Sequence, residues 1–499
     1  MLVGVLGLLL PSCDLDRYPT DTIVLERALE TFADAQQFRN GFYSFIRSLN
    51  YGTASTTTEL MSDLFNAAVG YGLRGNAPHT LSEAFPGAGE VSGIWNTAFH
   101  GIAQINSFLY HVQNLSGLNE AQQAGVNDFI AEAHYTRAFL YTVLATHFMP
   151  PISDANRNTA NLGLPLLTRF DVNYRPSRAT IQETFDFIIA DLEVAQTISV
   201  IHGETTGEGA TRASRHRITR DAVYALKARV LFMMRDNEGA VRYALYLIDS
   251  GRYPLVSSSA AFTAMWHNDG GTAGASEDIF ILHASPTVFG PTMGIFGLFS
   301  SATNTFNPDF IPTQRVIDLY GAGDWRLSTF FSDGVNQMLN NGGMNHPGIR
   351  ILQKFPGNPA LRPAGAPTNH AHFAKVHRIA EMHLIVAEAT QSAMRLNVLR
   401  AARGATPIFA SGEALRDAIR DEWVREMIGE GRRIESLRRW GIGFDGRPPQ
   451  SRYAVVSYGS SEFTHRQVGP NQFYRFTLPI PITEMRRNPN MVQNPGWGF

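Results

Sequence analysis

The sequence predicts a mainly all-α protein, and three observations carry that expectation. Apolar residues recur every three to four positions over several long stretches, strand-like alternation is confined to two short segments, and one long Gly/Pro/Asn-rich stretch interrupts the helical pattern. With 499 residues, 44% of them hydrophobic, the chain can bury a large core.

The elements follow in chain order. Residues Met1 to Leu10 form an apolar run too short to span a bilayer, which suits the hydrophobic part of a signal peptide. Leu10-Pro-Ser-Cys13 then resembles a bacterial lipobox, in which the signal is cut before the cysteine and the thiol takes a diacylglycerol. The signal peptide is therefore expected over 1–12, with Cys13 the lipidation site. No Lys or Arg precedes Arg17, a departure that a start upstream of Met1 would account for. Residues 13–22 are polar, acidic and broken by Pro19, as an extended tether would be. A small loop-rich patch is expected at Tyr51 to Gly93.

Between Val126 and His147, the positions Phe129, Ala133, Thr136 and Leu140 mark one buried helix face. Thr180-Ile-Gln-Glu183 reads as a capping box ahead of the stripe Ile181, Phe185, Ile188, Leu192. Ala222, Leu226, Val230 and Met233 predict a helix after Thr219, and Val241 to Ile248 its partner across a short turn. A further helix pair is expected at Val376 to Met394 and Ser411 to Arg439, with Ser411 as N-cap. Strands are expected at Asp278 to His283 and Phe473 to Leu478. Helix pairs on short turns imply stacked αα-hairpins. The loop-rich insertion at about 253–372 is where a ligand site is expected, because long loops in helical proteins usually have a function.

Composition removes several function classes. The formal net charge of −2 gives no footprint for nucleic acid, so no nucleic-acid partner is expected. The single cysteine excludes an intrachain disulfide and a Cys-based zinc site. Gly70-Tyr-Gly-Leu-Arg-Gly75 matches a dinucleotide fingerprint, but Pro78 follows at once and no βαβ unit surrounds it, so it reads as a loop. The sequence holds no HExxH, phosphate-loop or GxSxG motif. His370, His372, His377 and His383 form the densest histidine cluster, for which solvated or core-edge positions are the simpler account; no metal and no cofactor are expected.

The more serious catalytic signal is the set Glu381, Glu388, Glu422, Glu426 and Glu430 on the last helix pair. A glycosidase acid pair or a di-metal bundle would use such groups. Arg378, Arg420, Arg425, Arg432 and Arg433 crowd the same segments, however, and Arg–Glu pairing between packed helices explains the pattern without chemistry. No catalytic residue is expected.

Those segments also carry a family likeness. Arg378-Ile-Ala-Glu-Met-His-Leu-Ile-Val-Ala-Glu-Ala389, then Arg420 to Arg433 running into Leu437-Arg-Arg-Trp-Gly441, resemble the last helices of the SusD/RagB family. Pro479-Ile-Pro-Ile-Thr-Glu484, Asn488-Pro and Gln493-Asn-Pro-Gly-Trp497 follow in the family's order. Upstream, Trp95 to Asn106, Arg137-Ala138, Gly163-Leu-Pro-Leu166 and Arg175-Pro-Ser-Arg178 fit as well. The resemblance implies a single domain over 23–499: tetratricopeptide-like helix pairs in a superhelical scaffold, and an irregular subdomain facing the ligand. It also implies a non-catalytic, lipid-anchored outer-membrane protein that captures glycan or a similar nutrient for a SusC-like, TonB-dependent transporter.

Sugars present apolar C–H faces and hydroxyl edges, so their sites need aromatic platforms with planar polar groups nearby. One loop patch offers Tyr71, Arg74, Asn76 and Phe85. The insertion offers Trp266, Asn268, Asp269, Phe289, Phe296, Phe306 and Trp325. Trp266 and Tyr71 lead, because Gly and polar residues flank both. Two other readings stand beside this one: an all-helical glycosidase using the glutamates above, and a helical-repeat scaffold for protein partners.

Overall fold

The computed structural model describes residues 29–69, 71–81, 87–171, 173–200, 215–271, 274–286, 296, 299–300, 305–306, 308–332, 348–362, 364, 371–455 and 470–498. The signal peptide, the tether and Cys13 lie outside them, as do Phe85, Phe289 and His370.

Helix starts follow local side-chain chemistry. Thr31, Asn119 and Thr180 sit in extended backbone and close capping boxes with Asp34, Gln122 and Glu183. They open α1 (Phe32–Asn50), α5 (Glu120–Phe148) and α6 (Ile181–Ala195). Between α1 and α5 come α2 (Thr53–Met61), α3 (Asn76–Thr80) and α4 (Gly89–His111). Thr219 and Asp236 accept from Ala222 and Gly239 to start α7 (Arg220–Met233) and α8 (Asn237–Asp249), as the sequence predicts. Helix α5 is buried on almost every face over its second half, and α1, α4 and α6 pack around it.

After α8 and α9 (Ser259–His267) the chain leaves the helical scaffold for the irregular region, which holds α10 (Gln314–Asp318) and α11 (Trp325–Phe330). It returns at α12 (Ile379–Ala389), α13 (Ala393–Ala401), α14 (Gly412–Met427) and α15 (Arg433–Trp440), before a last short helix, α16 (Ile482–Arg487). Helix α12 packs directly on α8, so the helical stack continues across the insertion. One core joins α4, α5 and α6 to the irregular region, and a second lies between α7, α8, α12 and α14. No helix among the described residues is long and apolar enough to cross a membrane.

Strands β1 (Phe65–Ala67), β2 (Asp278–Leu282), β3 (Phe299–Ser300), β4 (Thr305–Phe306), β5 (Phe310–Pro312) and β6 (Ala374–Arg378) form antiparallel pairs β1–β5, β2–β6 and β3–β4. Strand β2 matches the expected strand at 278–283. Four expectations change. The helix expected from Val376 starts at Ile379, because residues 374–378 pair with β2 instead, and a three-residue connection divides α12 from α13. The single helix expected over 411–439 breaks at Gly429 and Gly431, which hold left-handed backbone with φ of 80° and 75°. A Cβ on Gly431 would sit 2.9 Å from the Ser55 Cα, and one on Gly429 2.8 Å from the Phe355 ring. Ser411 precedes α14 but makes no side-chain cap. The strand expected at 473–478 is a 3-10 helix at Pro470–Phe476, in which Phe473 and Phe476 stack.

The C-terminus is locked onto the body of the protein. The Gln493 amide bonds both the N–H and the carbonyl of Ile480, Asn494 donates to the carbonyls of Phe148 and Leu478, and the Trp497 indole donates to that of Thr477 at 2.9 Å.

Candidate functional site

The loop-rich side is organised by the β1–β5 ladder. Ala68 bridges to Val455, and the Val69 N–H reaches the Ala454 carbonyl at 3.1 Å, so the loop after β1 and residues 452–455 share one edge. Gly72, Leu73 and Gly75 take positive φ, a turn that lifts Leu73 and Arg74 outward. The Arg74 guanidinium, two-thirds exposed, lies 2.5 Å from a carboxylate oxygen of Asp309 at the foot of β5. Burial raises the Asp309 carboxyl above its usual value and the Arg74 charge partly offsets that. Tyr453, beside the bridge, is 85% exposed.

The predicted site residues divide. Arg74 and Asn76 lie at this edge, and Tyr71 is beneath it: its ring is buried against Phe310 while its hydroxyl donates to Asn76 Oδ1 at 3.0 Å. Trp266 is corrected from a ligand platform to a core residue. It sits in α9, 3% exposed, with Lys354, Lys375 and Arg378 at 4.3, 5.6 and 5.0 Å from its ring, so the buried cations occupy the face a sugar would need. Asp269 is likewise buried and accepts from the Asn358 amide at 2.8 Å, whereas Asn268 is exposed in the turn that ends α9. Phe296 is buried against Phe65 with ring centroids 4.3 Å apart, and Trp325 is half-buried at the start of α11. Phe306 lies in β4. Tyr453 escaped the sequence reading, although Pro448-Pro449-Gln-Ser-Arg452 before it signals an exposed turn.

The glutamates of the last helices face inward. Arg403 holds Glu277 through two contacts of 2.8 Å and Glu426 through contacts of 3.0 and 2.9 Å. Arg326 pairs with Asp324, Glu422 and Glu426, and Arg378 with Glu426 and Glu430. Arg229 grips Glu381, and Arg439 holds Glu388, which also accepts from the Trp440 indole at 2.7 Å. Burial alone would raise the carboxyls of Glu381 and Glu426; the surrounding guanidiniums win, lowering Glu381 to about 2 and Glu426 well below the usual range. A glycosidase acid must instead stay protonated near neutral pH beside an open cleft. The glycosidase alternative built on these residues therefore fails on geometry and on charge.

Among the described residues the histidines do not converge on a metal. His377 is buried with Nε2 2.8 Å from the Tyr135 hydroxyl, and His383 is buried on α12. Among the described residues no cluster of three metal-ligating side chains occurs.

Comparison with known proteins places this architecture. The SusD family model matches residues 330–497, and a SusD-like model described as "Starch-binding associating with outer membrane" matches 33–232. The chain belongs to the SusD/RagB family. Its fold is that of a SusD superfamily protein from Bacteroides thetaiotaomicron, at TM-score 0.74 and 22% identity over 93% of this chain and all of that one. A SusD-like carbohydrate binding protein from Bacteroides vulgatus aligns at TM-score 0.70 and 18% identity, covering 93% of this chain and 98% of that one. Surface glycan-binding protein A from Bacteroides fluxus aligns at 0.67 and 20%, covering 94% and 100%. No curated protein sequence matches the chain.

Proposed function

We propose that this SusD/RagB chain captures oligosaccharide without catalysis, held at the outer face of an outer membrane by lipid on Cys13, and passes its cargo to a SusC-like, TonB-dependent transporter. The observation that carries the capture step is the shared edge of the loop after β1 and residues 452–455, which holds an exposed aromatic residue, Tyr453, on one segment and a guanidinium–carboxylate pair, Arg74 with Asp309, on the other. A pyranose ring stacks its C–H face on such a ring, and its hydroxyls bond both members of the pair. Binding of this kind needs no tuned acid or base. The family description as starch-binding and outer-membrane-associated supports the same reading, as do the names of the carbohydrate-binding and glycan-binding relatives.

Affinity electrophoresis in gels containing soluble starch, xylan or mannan tests the capture. The wild-type chain is expected to be retarded by at least one polysaccharide. Tyr453→Ala should weaken that binding about tenfold, the loss of one stacking platform, and Arg74→Ala should weaken it less. Retardation unchanged in both variants would remove this edge from the function.

Anchoring is tested separately. In cells that process lipoproteins, the wild-type chain is expected in the membrane fraction and Cys13→Ala in the soluble fraction, with glycan binding retained. Equal fractionation of the two would refute the lipid on Cys13.

A further inference from the structure

A second concavity lies away from the loop-rich edge, on the helical scaffold. It is a pocket of about 280 Å3 between α4, the 163–176 crossover and α16. Trp95 and Phe99 of α4 form its floor with Leu167, and Phe170 and Tyr174 form its wall. Its volume lies just below the range for drug-sized ligands, about 300–1,000 Å3, and suits a smaller one.

The pocket is pre-formed. Arg137 donates to Asn106 Oδ1 at 2.6 Å, the Asn106 amide in turn holds the Leu167 carbonyl at 2.8 Å, and the Tyr141 hydroxyl accepts from the Leu167 N–H at 2.7 Å. On the other flank Arg178 donates to the carbonyls of Gly163, Leu162 and Val492, while Asn488 and Asn490 hold those of Pro176 and Arg175. A ligand entering here would not need to order the crossover.

The rim decides the ligand class. Arg169 lies over the Tyr174 ring at 4.3 Å and pairs with Asp171 at 3.0 Å. Glu484 and the exposed Arg487 of α16 stand across from them, and Arg175 turns toward its own backbone at the Tyr174 carbonyl. The lining thus carries three guanidiniums, Arg169, Arg175 and Arg487, and two carboxylates, Asp171 and Glu484. The excess is a single positive charge, and donors and acceptors interleave on this rim. A hydroxyl, which both donates and accepts, matches it, and the aromatic floor matches an apolar ring face.

We infer that this pocket is a second saccharide site, taking one or two pyranose units of a neutral glycan. The inference rests on the glycan-binding reading of the family but not on the loop-rich edge.

The test is calorimetry and ligand-observed NMR with maltose, cellobiose, xylobiose, mannobiose and lactose on the full mature chain. At least one disaccharide is expected to titrate at one site. Phe170→Ala should weaken it about tenfold, and Arg487→Gln, an exposed change that leaves packing intact, should weaken it measurably, each made also in the Tyr453→Ala background so that the loop-rich edge does not contribute. Two results overturn the inference: no disaccharide titrates, or binding survives both pocket variants. Disaccharide binding lost only in Tyr453→Ala, or polysaccharide retardation without disaccharide binding, would sink the pocket and leave the glycan reading standing. Failure of polysaccharides and disaccharides alike would remove both.

Discussion

Arg403→Met is expected to destabilise the protein by about 3–5 kcal/mol, the cost of removing one partner from a buried charge cluster. The side chains of Arg403, Glu277 and Glu426 are all 0% exposed. Glu426 would keep Arg326 and Arg378, but among the described residues Glu277 would keep only the Val256 N–H at 2.9 Å and the Arg378 guanidinium at 3.9 Å. A carboxylate so deprived must stay ionised in an apolar setting or take up a proton, and either route lowers stability. The loss is also topological, since Glu277 enters β2 of the irregular region while Arg403 follows α13 of the scaffold, so their contact joins the two. Urea denaturation of wild type and variant measures the difference. The companion variant Arg403→Met/Glu277→Leu should recover a large part of the loss, because replacing a buried pair with apolar groups is far less costly than orphaning one member. For contrast, Arg157→Ala breaks a pair with Asp154 that is 97% exposed and should change stability by less than about 1 kcal/mol. A single Arg403 variant as stable as wild type would mean that the cluster contributes nothing to folding.

How much of this was legible in the sequence depends on the range of the interactions involved. Capping at Thr180 and Glu183 lies within one turn, so the start of α6 could be read directly. The break between α14 and α15 could not, because Gly429 and Gly431 need their left-handed backbone only against Phe355 and Ser55, which arrive from distant segments. Arg–Glu pairing was foreseeable from composition, yet Glu277, Arg229 and Arg326 lie far outside the last helices. Trp266 misled for the same reason. Its glycine-rich flank suggests an exposed loop, whereas Lys354, Lys375 and Arg378, more than eighty residues later, cover its ring. Family motifs at Gly163 to Leu166, Arg178 and Asn488 marked the scaffold pocket's frame without marking the pocket, because its walls meet only in three dimensions.

Acidity should move stability in two opposed ways that Glu59 separates. Glu59 is fully buried between α2 and the turn after α14; burial raises its carboxyl to about 7 even though the Gly431 N–H donates to it at 2.7 Å. The folded state therefore keeps a proton that the unfolded state releases from about pH 4.5 upward, and stability from this group is lost as pH rises through 7. His383 acts the other way. Burial lowers it to about 4, so its contribution is complete above 6.5 and lost as pH falls toward 4. Burial also opposes ionisation of Glu381 and Asp63, but their arginine partners hold both near 2, adding a further loss from about pH 4.5 down to 2. Glu59→Gln keeps an acceptor for Gly431 and removes only the first of these effects. Urea denaturation at pH 5 and pH 8 should show the variant gaining about 1–3 kcal/mol relative to wild type over that interval, while both proteins lose stability in parallel below pH 4.5. Parallel behaviour over the whole range would mean that Glu59 is already ionised at pH 5 and that the turn at Gly431 gives it more support than one amide.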